Sequence, residues 1–291
     1  MSTKGILLSG GSGSRLYPLT IALSKQILPV YNKPMVFYPL STLMTAGIKE
    51  ILLISNPEFI DVYKKLLGNG EDLGISIEYK VQEKPAGIAQ SLILAETFIG
   101  NSNISLILGD NIYYMNQMDE RLKEISNNKN NNGATVFACQ VKDPQRYGVV
   151  ELDKNGTALS IEEKPESPKS NYAVTGLYFY DNYAIEIAKN LKPSGRGELE
   201  ITDVNNQYLL KKSLKVEVMK NGSAWFDAGT HESLLDVSNF IHTIESRQGI
   251  QIGNIHEIAY RMNYINDSQL SEIAKKYKNS SYGEYLKSIL S

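Results

Sequence analysis

The sequence predicts an α/β protein in which helices cover both faces of a central, mostly parallel sheet, followed by a helical C-terminal module. Three features carry this reading. Apolar runs too short for helices alternate with segments of helical spacing through the first half of the chain. Those runs close on glycine or Gly-Asp, where a buried strand must turn sharply. Beyond Asp227 the strand signals stop and only helical periodicity remains. The 291 residues, 42% hydrophobic and 21% charged, suffice for a large core. A net charge of −2 gives no basic field for nucleic acid or an anionic membrane, so any anion binding has to be local. The single cysteine, Cys139, excludes an intrachain disulfide and reads as a small core residue in the strand 134–141. The polar opening residues do not resemble a secretion signal, and no apolar run approaches the ~18 residues of a spanning helix, so a cytoplasmic protein is expected.

Residues 5–9 form a short apolar run closed by Gly10 and Gly11, as in a buried parallel strand. A helix over 35–46 ends at Gly47, a suitable cap, and 50–55 is the next strand, completing a β-α-β unit. Residues 75–81 read as a third strand with Ser76, Glu78 and Lys80 turned outward. Ile88, Leu92, Ala95 and Ile99 recur at helical spacing and predict one helix over 87–98. The apolar run 105–108 is a fourth strand and stops at Gly109-Asp110, and the asparagine-rich stretch 127–132 reads as a solvated loop. Asn155-Gly156, between 148–153 and 157–163, predicts a two-residue hairpin. With further strands at 171–180 and 214–219, the sheet gains antiparallel members in its second half. Leu234, Leu235, Val237, Phe240, Ile241 and Ile244 form one helical face, equally suited to a core contact or an interface. Asp267 is placed as cap of a second helix bearing Leu270, Ile273, Ala274 and Tyr277, and Ser281 with Glu284 as the capping box of a third.

The sharpest local feature is Gly10-Gly11-Ser12-Gly13-Ser14-Arg15-Leu16, directly after the first strand. Ligands of open α/β sheets bind at the carboxyl ends of strands, and a glycine turn there lets backbone amides approach phosphate oxygens. The loop is not a Walker loop, because Gly13 is followed by Ser14-Arg15. Nor is it the dinucleotide fingerprint, because Leu16 stands where a third glycine is required. Arg15 and Lys25 lie within about ten residues of the turn, and two such cations suit a triphosphate and a departing pyrophosphate.

The stretch from Gly10 to Lys25 resembles the sugar nucleotidyltransferases, in particular their branch that transfers thymidylyl groups, and the resemblance extends over about residues 5–261. It implies a Rossmann-like three-layer nucleotidyltransferase fold. The core would span 1–230, with a nucleotide half over about 1–115 and a sugar-phosphate half over about 116–230, and residues 231–291 would form a helical interface module. It also implies dTTP and α-D-glucose 1-phosphate as substrates, dTDP-glucose and pyrophosphate as products, Mg²⁺ as cofactor, and a homotetramer. Nucleotide contacts fall on Leu8, Gly10, Gly11, Ser12, Gly13, Ser14, Arg15, Lys25, Gln26, Gln82, Gly87 and Asp110. Sugar-phosphate contacts fall on Asn111, Tyr147, Gly148, Glu163, Lys164, Val174 and Tyr178. Arg15, Lys25, Asp110, Lys164 and Asp227 carry the catalytic charge.

The metal reading also has a basis in the residues themselves. Asp110 and Asp227 each follow an apolar strand, so both are expected at one edge of the sheet, and Mg²⁺ usually takes one or two carboxylates plus substrate phosphates. The attacking group, a sugar phosphate oxygen, is already anionic, so no serine, cysteine or histidine nucleophile is needed. His231, His242 and His256 accordingly show no zinc or triad spacing. Three departures from the family pattern stand out: Ser14 where threonine is common, Ala86 where a polar residue is usual beside the base, and Met115 where glycine is usual in members with a regulatory end-product site. The alternatives are uridylyl or cytidylyl transfer to a related sugar phosphate, and a regulatory protein on the same fold. A metal-dependent glycosyltransferase would carry Asp-x-Asp, which is absent.

Overall fold

The computed structural model describes residues 2–114, 119–128 and 132–290, so Met115 and much of the asparagine-rich stretch lie outside the described residues. The chain opens with β1 (Thr3–Ser9), the two-stranded ribbon β2 (Pro29–Val30) and β3 (Lys33–Pro34), then α1 (Phe37–Thr45), β4 (Glu50–Ser55), α2 (Ile60–Leu67) and β5 (Ser76–Val81). Next come α3 (Gln90–Leu94), α4 (Glu96–Ile99), β6 (Asn103–Leu108), β7 (Asn111–Tyr114), α5 (Asp119–Asn127) and β8 (Ala134–Gln140). The hairpin β9 (Gly148–Leu152) and β10 (Ala158–Glu163) leads to β11 (Tyr172–Tyr180), α6 (Tyr183–Lys189), α7 (Ile201–Leu210), β12 (Leu214–Val218) and β13 (Ala224–Asp227). Four helices close the chain: α8 (His231–Gln248), α9 (Ile255–Arg261), α10 (Asp267–Lys276) and α11 (Ser281–Ile289).

Nine strands make the main sheet. β6, β1, β4 and β5 run parallel in that order, whereas β11 joins β6 antiparallel and brings β8 and β9 with it. Successive side chains of one strand enter opposite cores, and β1 shows it directly. Leu7 packs with α1, α2, α9 and α10 on one face, Ile6 with α3, α6 and α7 on the other. The layers are therefore helix, sheet, helix, as expected.

Several local expectations need correction. The helix over 87–98 is broken into α3 and α4 at Ala95. The hairpin loop has five residues rather than two. The Asp153 carboxylate accepts from Asn155 N and Thr157 N at 2.8 Å, which stabilises the longer turn, and Gly156 takes φ 81°. Asn266, not Asp267, caps α10, and Ser280, not Ser281, caps α11. In each case the capping side chain sits one residue before the first helical residue, which periodicity alone does not locate. Leu235 is 61% exposed and leaves the α8 face, while Val237 and Ile241 are buried against Val30, Met35 and Tyr38. Cys139 is half-buried at the end of β8 rather than enclosed. Helices α2, α5, α6 and α7 and the strands β2, β3 and β7 are further elements that the sequence analysis did not place, although α2 buries Ile60, Tyr63 and Leu67 at helical spacing.

Candidate active site

The parallel strands β1, β4 and β6 end on one edge of the sheet, and a cavity of about 390 Å³ opens there. The glycine turn leaves β1 at its rim, with Gly11 at φ 92° and Gly13 at φ 61°, conformations that β-carbons disfavour. A side chain at Gly10 would collide with Gln82 Oε1. Three side chains hold the turn's carbonyls: Gln26 Nε2 donates to Gly10 O at 3.4 Å, Asn56 Nδ2 to Gly11 O at 3.0 Å, and Thr20 Oγ1 to Gly13 O at 2.8 Å. Three of the turn's carbonyls are thereby engaged by side chains. Gly10, Gly11, Arg15, Gln26, Gln82, Gly87 and Leu8 all line the cavity. Ser12, Gly13 and Ser14 do not; the two serines are exposed and bonded to each other at 3.4 Å.

The two aspartates converge, by a route the sequence does not reveal. Asp110 follows β6 through Gly109, where a side chain would strike Ser9 Oγ. Asp227 ends β13, which is not part of the main sheet but pairs antiparallel with β7, setting Asp227 opposite Asn111. Lys25 is buried and does not reach the cavity wall; it donates instead to Asp110 Oδ2 at 2.5 Å. Burial alone would raise the Asp110 carboxyl, but the Lys25 charge, with hydrogen bonds from Lys25 and Asn111, outweighs it and holds the group below its ordinary range. Asp227 is shifted the other way. Burial raises it and the Asp110 charge adds to that, against weaker pulls from Lys25, Arg15 and Arg146. Arg15 and Asp227 bracket Gly229, each within about 3 Å of where a side chain there would begin (3.2 Å to Nη2, 3.0 Å to Oδ1).

This donor set fits a hard divalent cation. The two carboxylates repel one another and Asp227 is uneasy as an anion, so a cation beside them would relieve both effects. No cluster of three or more His, Cys, Asp or Glu side chains suited to a metal occurs among the described residues.

The opposite wall holds the predicted sugar-phosphate residues: Asn111, Tyr147, Gly148, Glu163, Lys164, Val174 and Tyr178 all line it. Asn111 is 3% exposed, and its Oδ1 accepts from Gly176 N at 3.0 Å and Trp225 Nε1 at 2.6 Å. Glu163 accepts from Thr202 Oγ1 at 2.6 Å and from Arg196 Nη2 at 3.1 Å. Lys164 is held at φ 44°, an unfavourable conformation for a lysine, with its ammonium 3.8 Å from Glu163. Sequence reasoning missed Arg146, Trp225 and Thr202 in this wall. Arg146 lies over the Tyr147 ring at 5.4 Å, and Trp225 meets that ring edge-on at 5.0 Å. Two of them had a usable signal: Arg146 directly precedes Tyr147-Gly148, and Trp225, the only tryptophan, lies two residues before Asp227.

Residues 4–244 match the family described as nucleotidyl transferase. The chain belongs to the nucleotidyl transferase family. Its relatives in that family include the glucose-1-phosphate thymidylyltransferase of Neisseria meningitidis serogroup A, 54% identical with 99% of each chain covered. Another is the enzyme of the same name from Mycolicibacterium smegmatis, 50% identical with 99% of each covered. Among solved structures, a Bacillus anthracis protein provisionally called a glucose-1-phosphate thymidylyltransferase, crystallised with sucrose, is 44% identical with TM-score 0.76, over 82% of this chain and 95% of that one. A UDP-glucose pyrophosphorylase bound to UDP-glucose shares the fold at TM-score 0.71 and 23% identity, over 84% and 99% of the two chains. The family read from the glycine turn is the family found. Nucleotidyltransferases of this family generally use a divalent metal. No helix among the described residues is long and apolar enough to cross a membrane.

Proposed function

We propose that this chain transfers a thymidylyl group from dTTP to α-D-glucose 1-phosphate, yielding dTDP-glucose and pyrophosphate with Mg²⁺ as cofactor, in the cytoplasm. The observation that carries the reading is a single cavity lined on one side by the glycine turn, Arg15 and the Asp110–Asp227 pair, and on the other by Tyr147, Glu163 and Lys164. The proposal divides the core as the resemblance does, a nucleotide half over about 1–115 and a sugar-phosphate half over about 116–230, with 231–291 as a separate module.

In this reading the turn's amides and Arg15 hold the triphosphate, while Gln82 and Gly87 meet the base and Gln26 lies in the nucleotide pocket. Glu163 accepts from sugar hydroxyls, and Lys164 meets the sugar phosphate and sets it in line with the α-phosphorus. A phosphate oxygen of the sugar phosphate forms the new bond to that phosphorus as the bond to the β-phosphate bridging oxygen breaks. Pyrophosphate leaves with the electron pair, and no proton has to move. Magnesium held by Asp110 and Asp227 would supply charge neutralisation at the phosphates. Arg15 offsets charge on the departing pyrophosphate, and Lys25 fixes Asp110 as an anion. Homotetramer formation is part of the reading on family resemblance alone. Val237 and Ile241 of the α8 stripe are buried inside the chain, while Leu234, Leu235, Phe240 and Ile244 keep exposed surface.

The test is pyrophosphate release with a panel of nucleoside triphosphates and sugar 1-phosphates, with and without Mg²⁺. Activity is expected to require the metal and to favour dTTP over dUTP by about 10- to 200-fold, the value of one methyl in an apolar pocket, and to favour it also over UTP, which differs further by a 2′-hydroxyl. Equal use of dTTP and UTP, or a preference for UTP or CTP, overturns the thymidylyl assignment.

A further inference from the structure

We infer that Gln90 is a positioning residue that selects the pyrimidine by fixing which end of the Gln82 amide the base meets. The inference rests on the reading above that Gln82 contacts the base. Its starting point is a donor whose polarity is not in doubt. The backbone N–H of Ala86 can only donate, and it lies 3.0 Å from a side-chain terminus of Gln90. That terminus is therefore the oxygen, Oε1, whatever rotation of the amide one might otherwise choose. The Gln82 terminus 2.7 Å from the same oxygen must in turn be a donor, Nε2. Gln82 Oε1 is thus turned to the other side, against Gly10 at the cavity wall.

The rest of Gln82 is immobilised. The residue is 3% exposed, and its own N–H is bonded to Ser55 O at 2.8 Å at the end of β5. The stretch that carries Ala86 is fixed as well. Leu199 N donates to Ala86 O at 2.7 Å and Ala89 N to Leu199 O at 3.1 Å, and Gly87, at φ 99°, packs its Cα on the Leu199 backbone. A fixed amide sets the Gln90 oxygen, and that oxygen sets the Gln82 amide.

The chemical consequence lies at N3 of the pyrimidine. Thymine and uracil carry a hydrogen on N3 and suit an acceptor, whereas cytosine carries a lone pair there and suits a donor. With Oε1 presented, Gln82 matches the first two and leaves two acceptors facing each other for the third. Turned over, the same glutamine would match cytosine. The relay uses only the backbone of residue 86, so the alanine found there costs it nothing.

The experiment compares Gln90→Met, which keeps the length without a strong acceptor, and Gln90→Glu, whose carboxylate accepts from both Ala86 N and Gln82 Nε2. kcat/KM for dTTP and dCTP and the KM for glucose 1-phosphate are measured for each. In Gln90→Met the dTTP-to-dCTP ratio should fall by at least about tenfold, with the sugar phosphate KM unchanged, while Gln90→Glu retains the ratio. A residue that merely supports the fold would lower both nucleotides in proportion. A Gln90→Met ratio within about twofold of wild type, or an equal loss of ratio in Gln90→Glu, overturns the inference. The wild-type measurement tests the reaction itself. If wild type transfers no thymidylyl group, that assignment falls. Calorimetric affinities of the same proteins for dTDP and dCDP then decide the Gln90 claim by the same ratio.

Discussion

Two buried lysine–carboxylate pairs occupy different regions of the molecule and are finished in opposite ways. Beneath α8, Lys33 donates to Glu245 at 2.8 Å with the side chains 1% and 7% exposed. The Glu245 carboxylate also accepts from Ile252 N and Asn32 Nδ2, each at 2.8 Å. Its negative charge is therefore spread over three donors. At the cavity, Lys25 donates to Asp110 at 2.5 Å, and the carboxylate side of that pair is 22% exposed. Beside it lies Asp227, a second carboxylate whose shift comes from burial and from the Asp110 charge, with only longer-range attraction from Lys25, Arg15 and Arg146. The first pair is electrostatically complete and serves the fold. The second is one positive charge short, and a site in that condition is prepared for a cation. Burial of an ion pair by itself separates neither case, nor does the number of donors, since Asp110 accepts from Asn111 as well as Lys25; the second carboxylate, Asp227, does.

The largest effect is expected at the complete pair. Lys33→Met leaves Glu245 buried without its ammonium and should cost about 3–5 kcal/mol of stability by urea titration, with kcat of the folded protein unchanged. The double variant Lys33→Met/Glu245→Met should recover most of that loss. A Lys33→Met protein as stable as wild type would show that the pair is not structural.

At the incomplete pair the signs reverse. Asp227→Asn, and likewise Asp110→Asn, should lower kcat by about 10²–10³-fold. Asp227→Asn should be at least as stable as wild type, because it removes a charge whose ionisation burial and Asp110 already oppose. Near-normal turnover in either variant removes that residue from the metal site.

A smaller effect sharpens the contrast within the C-terminal region. Burial, partly countered by Asp72, lowers His256 from 6.5 to about 4, while its Nδ1 shares a 2.7 Å hydrogen bond with Tyr282 Oη. The folded ring stays neutral where the unfolded one takes up a proton. Its contribution is therefore complete above about pH 6.5 and lost as the pH falls towards 4, by up to roughly 3 kcal/mol. The stability of wild type relative to His256→Gln should shrink across that interval. A constant difference would mean that His256 is not held neutral.

The glycine turn, Arg15 and the core strands were legible because each rests on neighbouring residues. Gly10–Gly13 follow an apolar run, and Ile6 and Leu7 alternate as a doubly buried strand must. The residues of the opposite cavity wall were singled out only through resemblance, since a Glu163-Lys164 pair on a hairpin is chemically ordinary until Thr202 and Arg196 are seen on its carboxylate. Helix ends were misplaced by one residue because caps are set by backbone angles at Asn266 and Ser280, not by hydrophobic spacing.

By itself the sequence determined the alternation of strand and helix and the position of the glycine turn, because period, glycine and cation are local properties. It also marked Asp110 and Asp227 as candidates. Only the tertiary structure decided that these two meet, since the meeting depends on β13 pairing with β7 outside the main sheet. It alone assigned Lys25 to Asp110 and gave Gln90 a part in orienting Gln82. Such roles depend on distances between atoms far apart in the chain, and those distances exist only once the layers have packed.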